Sequence, residues 1–386
     1  MKIAFYFTHC ETLGHTTRVF SLAESMKQCG HFDFFFLQAG KPLSTPPTFP
    51  YLDLPHPFYS KQVFYGRRTI LSKEQTKERI KIMHQALYQY SPDIFFVEYF
   101  PFGREDCAQE LLPILTWLRE RRIPIYSIIG YPVISTNTDK VERYLSYFTK
   151  LFILAPREHD YVSLLAYLHE QRLSSTAQWY EQFFVKHHDL IHFVGYVLPS
   201  GVLHTPLRKQ KREKNVLLSR GGGVIYPRVL TLGMQIAPYF SNYDFLCVGG
   251  PASSQKEHAL FSLLAKKNHV HYVQSLPSLS SPISTSTASI NMSGYGTVTQ
   301  LFYFGTPSLL IPREKEKNLF YLEQRYRANM AEKLGYGVVA SYEKLSVESM
   351  VGWLRQVLQK TPEPFPLSNF TAAEQISQVI TCSHMT

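Results

Sequence analysis

The sequence predicts an α/β protein of two consecutive doubly wound, Rossmann-like domains. Three observations lead there. The chain has 386 residues, and at roughly 100–200 residues per domain that length suits two. Short apolar runs alternate with amphipathic stretches, first in the N-terminal half and again in the C-terminal half. Between the two series lies His204–Lys214, which is polar, basic and poor in apolar residues. Repeated strand–helix alternation implies parallel sheets with helices on both faces.

In the first series, Lys2–Phe7 reads as a strand, Thr16–Gln28 as a helix and Phe32–Leu37 as a strand. After an irregular, Pro-rich segment come a helix around Lys73–Tyr90 and a strand at Ile94–Glu98. A helix near Cys107–Glu120 leads to a strand at Ile125–Ile129, and a helix near Lys140–Thr149 to a strand at Leu151–Leu154. His192–Val197 reads as the last strand of this half.

The second series opens with strand Asn215–Leu218, ending in Ser219-Arg220-Gly221-Gly222-Gly223. Helix Leu230–Phe240, strand Asp244–Val248, helix His258–Lys266 and strand Val270–Val273 follow. Ser275–Ser289, rich in Ser, Thr and Pro, reads as a loop with a short connecting element and is a candidate wall of a ligand cleft. A helix from about Thr297 precedes strand Ser308–Ile311; helices follow at Leu319–Leu334 and Ser346–Leu358. The expected division is residues 1–203, a linker at 204–214, a second domain at 215–368 and a helical tail at 369–386. The first domain is the candidate packing partner of that tail.

Composition narrows the functional classes. At 45% hydrophobic and 14% aromatic residues, there is material for two cores, against a disordered or fibrous chain. No apolar run is long enough to span a bilayer. Met1–Phe7 lacks the pattern of a secretory signal. The five cysteines (Cys10, Cys29, Cys107, Cys247 and Cys382) are scattered, with no zinc spacing. Neither a disulfide framework nor a metal site is expected, and a reducing cytoplasm fits best. The net charge of +10 favours an anionic partner: a phosphorylated substrate, a nucleic acid or an anionic membrane surface. Nucleic acid is the weaker option, because no zinc-finger, arginine-repeat or RNP-like motif is present.

Open parallel sheets bind ligands beyond the carboxyl ends of their strands. Three loops have that position. In the first, Thr8–Arg18, Gly14 permits close backbone approach. His15 there is a candidate general base, kept neutral by a helix N-terminus; a polar helix cap is the competing reading. In the second, Ser219 and Gly221–Gly223 offer backbone N–H groups to a phosphate, although a plain tight turn reads as well. This is not a Walker loop, since the GK[ST] ending is missing. In the third, Asn291–Gln300, small residues lead into a helix whose N-terminus, with Ser293 and Thr297, could hold a diphosphate. About one turn further, Gln300 is placed to hydrogen-bond a ribose. Gly305-Thr306-Pro307, Pro312-Arg313 and Glu323-Gln324 then follow in order.

That order resembles the nucleotide-sugar domain of the MurG-like family 28 glycosyltransferases and the related predicted glycosyltransferases. Their pattern is SGGxxTxxE, then GxP, then a strand ending in VPR, then EQxxRA. This chain reads Ser293-Gly294-Tyr295-Gly296-Thr297-Val298-Thr299-Gln300, Gly305-Thr306-Pro307, Leu310-Ile311-Pro312-Arg313 and Glu323-Gln324-Arg325-Tyr326-Arg327-Ala328. Leu13-Gly14-His15-Thr16-Thr17-Arg18 matches the family's GLGHxxR loop, and Pro92-Asp93-Ile94 through Glu98, Pro101, Gly103 and Arg104 is similar to the predicted subgroup.

The resemblance implies the two-domain GT-B architecture, with the domains facing across a cleft. It implies inverting transfer of a sugar, N-acetylglucosamine or another hexose, from a nucleoside-diphosphate sugar to a hydroxyl acceptor. The donor to try first is a UDP-sugar. No metal or other cofactor is expected, since no DxD motif stands in a suitable loop; backbone N–H groups and a helix dipole would hold the leaving charge. Gly14 and His15 would line the cleft. Ser219 and Gly221, Gly222 and Gly223 would flank the diphosphate. Val273 and Gln274 would contact the nucleobase. Ser293, Gly294 and Thr297 would hold phosphates, Gln300 the ribose, and Glu323 and Gln324 the sugar hydroxyls.

Two departures stand out. Gln300 replaces the family's usual Glu, and Ser284–Ser289 lacks the usual acidic residue. The catalytic candidates are His15 and Glu98; Glu98, Tyr99, Arg104 and Glu105 at the end of a strand line the acceptor side or else form structural salt bridges. The acceptor is unspecified, with a lipid-linked or anionic molecule as candidate. Lys61–Lys81, mixing Phe64, Tyr65, Arg67, Arg68, Lys73, Lys77, Arg79 and Lys81, is a candidate contact for an anionic lipid or phosphate, or else a solvated face. Peripheral attachment to the inner membrane face would fit. Alternatives are a nucleotide-sugar 2-epimerase and a drifted nucleotide-binding or scaffold protein.

Overall fold

The computed structural model describes residues 1–8, 14–40, 47–56, 71–132, 134, 138–156, 161–198, 202, 212–222, 226–313 and 320–385. The chain forms two compact units. The first comprises residues 1–10, 15–197 and 368–386; the second comprises 11–14 and 198–367.

In the first unit the elements are β1 (Lys2–Phe7), α1 (Gly14–Cys29), β2 (Asp33–Gln38), β3 (Tyr51–Asp53), α2 (Lys73–Tyr90), β4 (Ile94–Glu98), α3 (Ala108–Glu120), β5 (Ile125–Gly130), α4 (Thr138–Tyr144), β6 (Lys150–Leu154), α5 (Tyr161–Glu170), α6 (Ser174–Lys186) and β7 (Ile191–Phe193). The strands form one parallel sheet in the order β3-β2-β1-β4-β5-β6-β7. Its middle is held by aromatic side chains on adjacent strands. Phe5 lies opposite Phe36 and Phe96, and Phe96 opposite Tyr126. Their ring centroids stand 4.7–5.3 Å apart. All four side chains are fully buried, and burying a large apolar side chain contributes about 1.5–3 kcal/mol.

The second unit contains β8 (Glu213–Ser219), α7 (Pro227–Gln235), β9 (Asp244–Val248), α8 (Gln255–Lys267), β10 (His271–Val273), α9 (Ser280–Thr285), β11 (Ser286–Asn291), α10 (Tyr295–Phe304), β12 (Ser308–Leu310), α11 (Phe320–Lys333), β13 (Gly337–Val339) and α12 (Val347–Val357). Its parallel sheet runs β10-β9-β8-β11-β12-β13, the strand order of a dinucleotide-binding domain. Val216, Leu218, Ile290 and Leu309 form its core with Val229, Met234 and Leu354 from the flanking helices. A final helix, α13 (Ala372–Met385), belongs to the first unit. There Tyr196 N donates to Asn369 O at 2.7 Å. Gly195, at φ +84°, makes room for this: a Cβ on it would stand 2.9 Å from that same carbonyl.

Most expected elements form, within one to three residues. Three differences have physical causes. Ser286–Asn291, expected inside a loop, is the central strand β11. It is hidden by its small polar residues, but Ala288 and Ile290 enter the core, and Ser286 and Thr287 bond their hydroxyls to nearby carbonyls. Ser286 Oγ donates to Pro282 O at 2.5 Å and Ser308 Oγ to Ser289 O at 3.2 Å. Helices α5 and α6, unassigned in the sequence, fill residues 161–186 and bury Leu164, Leu168, Tyr180 and Phe183. The strand expected at His192–Val197 shortens to β7, because Tyr196 bonds the 369 backbone instead of a neighbouring strand. In the expected linker, Glu213 and Lys214 already open β8, and 204–211 lie outside the described residues.

Candidate functional site

Each sheet reverses its strand order once: between β1 and β4 in the first unit and between β8 and β11 in the second. Such switch points open a crevice at the carboxyl ends of the strands. The candidate residues gather at these two places.

In the first unit, His15 stands at the start of α1, directly after the β1 loop, and Glu98 ends β4. The two side chains meet. His15 Nδ1 lies 2.7 Å and 2.9 Å from the two carboxylate oxygens of Glu98. A carboxylate only accepts, and both its oxygens lie nearer to Nδ1 than the Arg18 Nη2 donor at 3.1 Å, so Nδ1 carries the proton and Nε2 is left with its lone pair. Arg18, one helical turn after His15 and buried, donates Nη2 to Glu98 Oε1. Its guanidinium lies 5.3 Å from the Tyr99 ring centroid. That ring meets the His15 imidazole edge-on at 5.5 Å, and Tyr99 Oη donates to Gly130 O at 3.2 Å.

The electrostatics follow from burial and these neighbours. Burial alone would push the Glu98 carboxyl up, but His15, which is protonated in the acid range where Glu98 titrates, and Arg18 outweigh it and hold its pKa at about 2. For His15, burial pushes the imidazole down; the pull of Glu98 opposes this, while Arg104 and Arg18 add to it, leaving the pKa at about 4. The His15 side chain keeps 23% of its surface exposed, so the ring is desolvated on one side and reachable on the other. At neutral pH the arrangement is a neutral imidazole oriented by an ionised carboxylate. That is the state a general base requires.

Tyr99 and Arg104 both adopt left-handed backbone conformations, with φ of +70° and +65°. Such conformations cost energy in residues with side chains and persist where the surroundings enforce them. Glu105 opens the short helical turn that leads into α3. Gly14 has open space around it.

In the second unit, Ser219 ends β8 and its Oγ accepts from Gly221 N at 3.0 Å. Gly221, at φ +72°, faces Thr297: a Cβ on it would lie 3.9 Å from Thr297 Oγ1. Gly222 sits in the same turn, and Gly223 lies outside the described residues. Val273 O accepts from Gly249 N at 3.0 Å and Gln274 O from Gly250 N at 2.8 Å. A Cβ on Gly250 would stand 2.8 Å from Gly221 O, so the three loops adjoin. Gly294 is the N-cap of α10; among the described residues no side chain caps this helix, and the spaces beside Gly294 and Gly296 are open. A backbone-lined helix N-terminus beside two glycine turns is suited to a diphosphate.

The other candidates serve the frame. Ser293 is buried and donates Oγ to Gln324 O at 2.8 Å. Gln324 Oε1 accepts from Arg313 N at 3.1 Å, and Glu323 stands 3.8 Å from Arg327. Gln300 bonds Ser280 and Gly296 through its amide.

Three contributors escaped the sequence reading. The i+3 spacing of Arg18 from His15 places both on one helix face. Gly130 and Ser280 carry no local signal. Arg220, inside the glycine run, is turned into the unit: it donates to Gly249 O, Ser253 and Glu257 at 2.7–3.2 Å. Phe64, Tyr65, Arg67 and Arg68 lie outside the described residues. Arg79, from the same basic stretch, is fully buried and donates to Glu110 at 2.5 Å and 2.9 Å, so it is not available to a lipid surface. Among the described residues no group of three or more His, Cys, Asp or Glu could hold a metal ion. Among them, too, no helix is long and apolar enough to cross a membrane.

Residues 226–381 match the glycosyltransferase family 28 C-terminal domain. A UDP-N-acetylglucosamine–N-acetylmuramyl-(pentapeptide) pyrophosphoryl-undecaprenol N-acetylglucosamine transferase from Thermotoga sp. (strain RQ2) is 25% identical over 158 residues, 40% of this chain and 44% of that relative. The chain thus matches under half the length of this curated relative. The fold agrees along the whole chain. MurG from Acinetobacter baumannii superposes with a TM-score of 0.58 at 12% identity, covering 99% of this chain and 100% of that one. UGT2 from Phytolacca americana, solved with UDP-2-fluoro-glucose and pterostilbene, gives 0.59 at 12% identity, covering 99% and 94%. Two parallel-sheet α/β units with the fold of GT-B glycosyltransferases, together with the match at residues 226–381, agree with the MurG-like resemblance in the motifs.

Proposed function

We propose that this protein is an inverting glycosyltransferase that moves a hexose from a nucleoside-diphosphate sugar to a hydroxyl acceptor, without a metal or bound cofactor. The observation that carries the reading is the His15–Glu98 contact at the first switch point, in a chain whose residues 226–381 match the glycosyltransferase family 28 C-terminal domain. His15 Nε2 takes the proton of the acceptor hydroxyl as its oxygen bonds to the anomeric carbon. The bond from that carbon to the diphosphate breaks, and its electron pair leaves with the nucleoside diphosphate. Glu98 holds the imidazole in the required tautomer and stabilises the imidazolium that forms. The N-terminus of α10 and the turns at Gly221 and Gly250 receive the departing charge through backbone N–H groups.

UDP-N-acetylglucosamine is the donor of choice, because the Thermotoga relative is named for it. That relative's name also includes a pyrophosphoryl-undecaprenol acceptor. A lipid-linked or anionic acceptor suits the net charge of +10, and so does peripheral contact with an anionic membrane.

The test has two parts. Thermal unfolding is followed with UDP, GDP, TDP, ADP and UDP-N-acetylglucosamine, because a ligand at 100 times its Kd adds about 2.7 kcal/mol. Release of nucleoside diphosphate, with water as a slow acceptor, is then compared for the unaltered chain and His15→Ala. Stabilisation by a nucleoside diphosphate and His15-dependent release are expected. No stabilisation at millimolar concentration would overturn the reading, and a 2-epimerised sugar formed without acceptor would replace it.

A further inference from the structure

The residue at position 300 changes what the donor nucleotide must bring. This inference rests on the donor-binding reading of the second unit. A diphosphate held at the N-terminus of α10 leaves the attached pentose about one helical turn along, beside Gly296 and Gln300. Gln300 is half-buried there. Its Nε2 donates to Gly296 O at 3.2 Å. That carbonyl can only accept, which fixes the orientation of the amide. Oε1 therefore faces Ser280, whose Oγ donates to it at 3.3 Å. Ser280 is held in turn: Ser278 Oγ donates to Ser280 Oγ at 3.0 Å and accepts from Ser280 N at 3.1 Å.

An amide oxygen has two lone pairs. Ser280 occupies one, and the other serves one pentose hydroxyl. A carboxylate here would accept from two hydroxyls and strengthen both bonds with its charge. We propose that the donor site reads only one pentose hydroxyl, and so accepts nucleoside diphosphates of 2′-deoxyribose as well as those of ribose. The 3′-hydroxyl is common to both and satisfies the remaining lone pair. Sites reject an analogue lacking a hydroxyl when its loss strands a buried acceptor. Here the missing 2′-hydroxyl strands none.

The experiment measures Kd for UDP, GDP and ADP against the matching 2′-deoxynucleoside diphosphates by titration calorimetry, on the full chain and on Gln300→Glu. In the unaltered chain, the best-bound pair should agree within about threefold. Gln300→Glu should favour the ribose form tenfold or more, equivalent to about 1.4 kcal/mol. A tenfold ribose preference in the unaltered chain overturns the inference and leaves the donor-binding reading intact. An unchanged ratio in a Gln300→Glu protein that melts normally also overturns it. If none of the six ligands binds at millimolar concentration, the donor-binding reading falls, and this inference with it. The ratio in the unaltered chain decides the matter even if the variant fails to fold.

Discussion

A methyl group on Gly130 would stand 2.6 Å from Nη1 of Arg18. The carboxyl end of β5 is thus bare so that a buried guanidinium can lie across it and reach Glu98. Arg18 is only 6% exposed in its side chain and has Tyr99 against it, so it has little freedom to give way. Gly130→Ala should push Arg18 off Glu98 and loosen the base. We expect kcat to fall about tenfold with KM little changed, since proton transfer is lost and donor binding is not. Steady-state kinetics with a melting curve test this; unchanged kcat would mean that Arg18 relocates without consequence.

His15→Ala removes the proton acceptor outright. General base catalysis contributes about 10²–10⁴-fold, and that is the expected loss in kcat. Stabilisation by nucleoside diphosphate should survive. A variant that keeps its rate would return His15 to the role of helix cap.

Glu98→Gln preserves shape but strips the charge. Arg18 would then be buried beside a neutral amide, and breaking a buried pair costs about 3–5 kcal/mol. The amide can also present its NH₂ to His15 Nδ1 and impose the wrong tautomer. Chemical denaturation should show the destabilisation, and activity should fall more than stability alone explains. Equal denaturation midpoints for the two proteins would argue against the ion pair.

The acid side of the pH profile has a definite sign. His15 falls from 6.5 to about 4 on folding, so the unfolded chain takes up its proton first. Its contribution to stability is full above about pH 6.5 and is lost as pH falls through 4. Glu98 falls from 4.5 to about 2. Its contribution is full above about pH 4.5 and is lost as pH falls through 2. The unfolding free energy should therefore decline from pH 7 to pH 4. The activity of the folded enzyme should hold through pH 6.5, because His15 stays neutral. A half-maximal rate at pH 6.5 would show an unperturbed imidazole.

Arg220 is the corresponding strut of the second unit, joining the end of β8 to Gly249 and to Glu257 at the start of α8. Arg220→Ala should remove the hydrogen bonds to Gly249 O, Ser253 and Glu257 and destabilise the chain by about 1–3 kcal/mol, and it should weaken nucleoside diphosphate binding by loosening Gly249 and Gly250. Calorimetric unfolding and binding measure both effects; a neutral result would place the Arg220 contacts at the surface in energetic terms.

Residue patterns alone determined the α/β class, the two series of strands and most helices, because apolar periodicity survives in sequence whenever an element buries one face. They also placed the three loops after β1, β8 and β11 and marked His15, Thr297 and the glycines at their tips. β11 was not legible: its serines and threonines look like loop, and only neighbouring strands on both sides make it central. Nor was the His15–Glu98 contact, since 83 residues separate the two and no local spacing encodes which strand ends adjoin. The sheet order sets β1 beside β4 and β8 beside β11, and this adjacency assembles both sites. Tertiary structure likewise decided which polar groups are engaged. Arg79 and Ser293 read as surface or ligand contacts in the sequence. Packing turned them inward, where buried charge and hydroxyl groups must find partners within the protein.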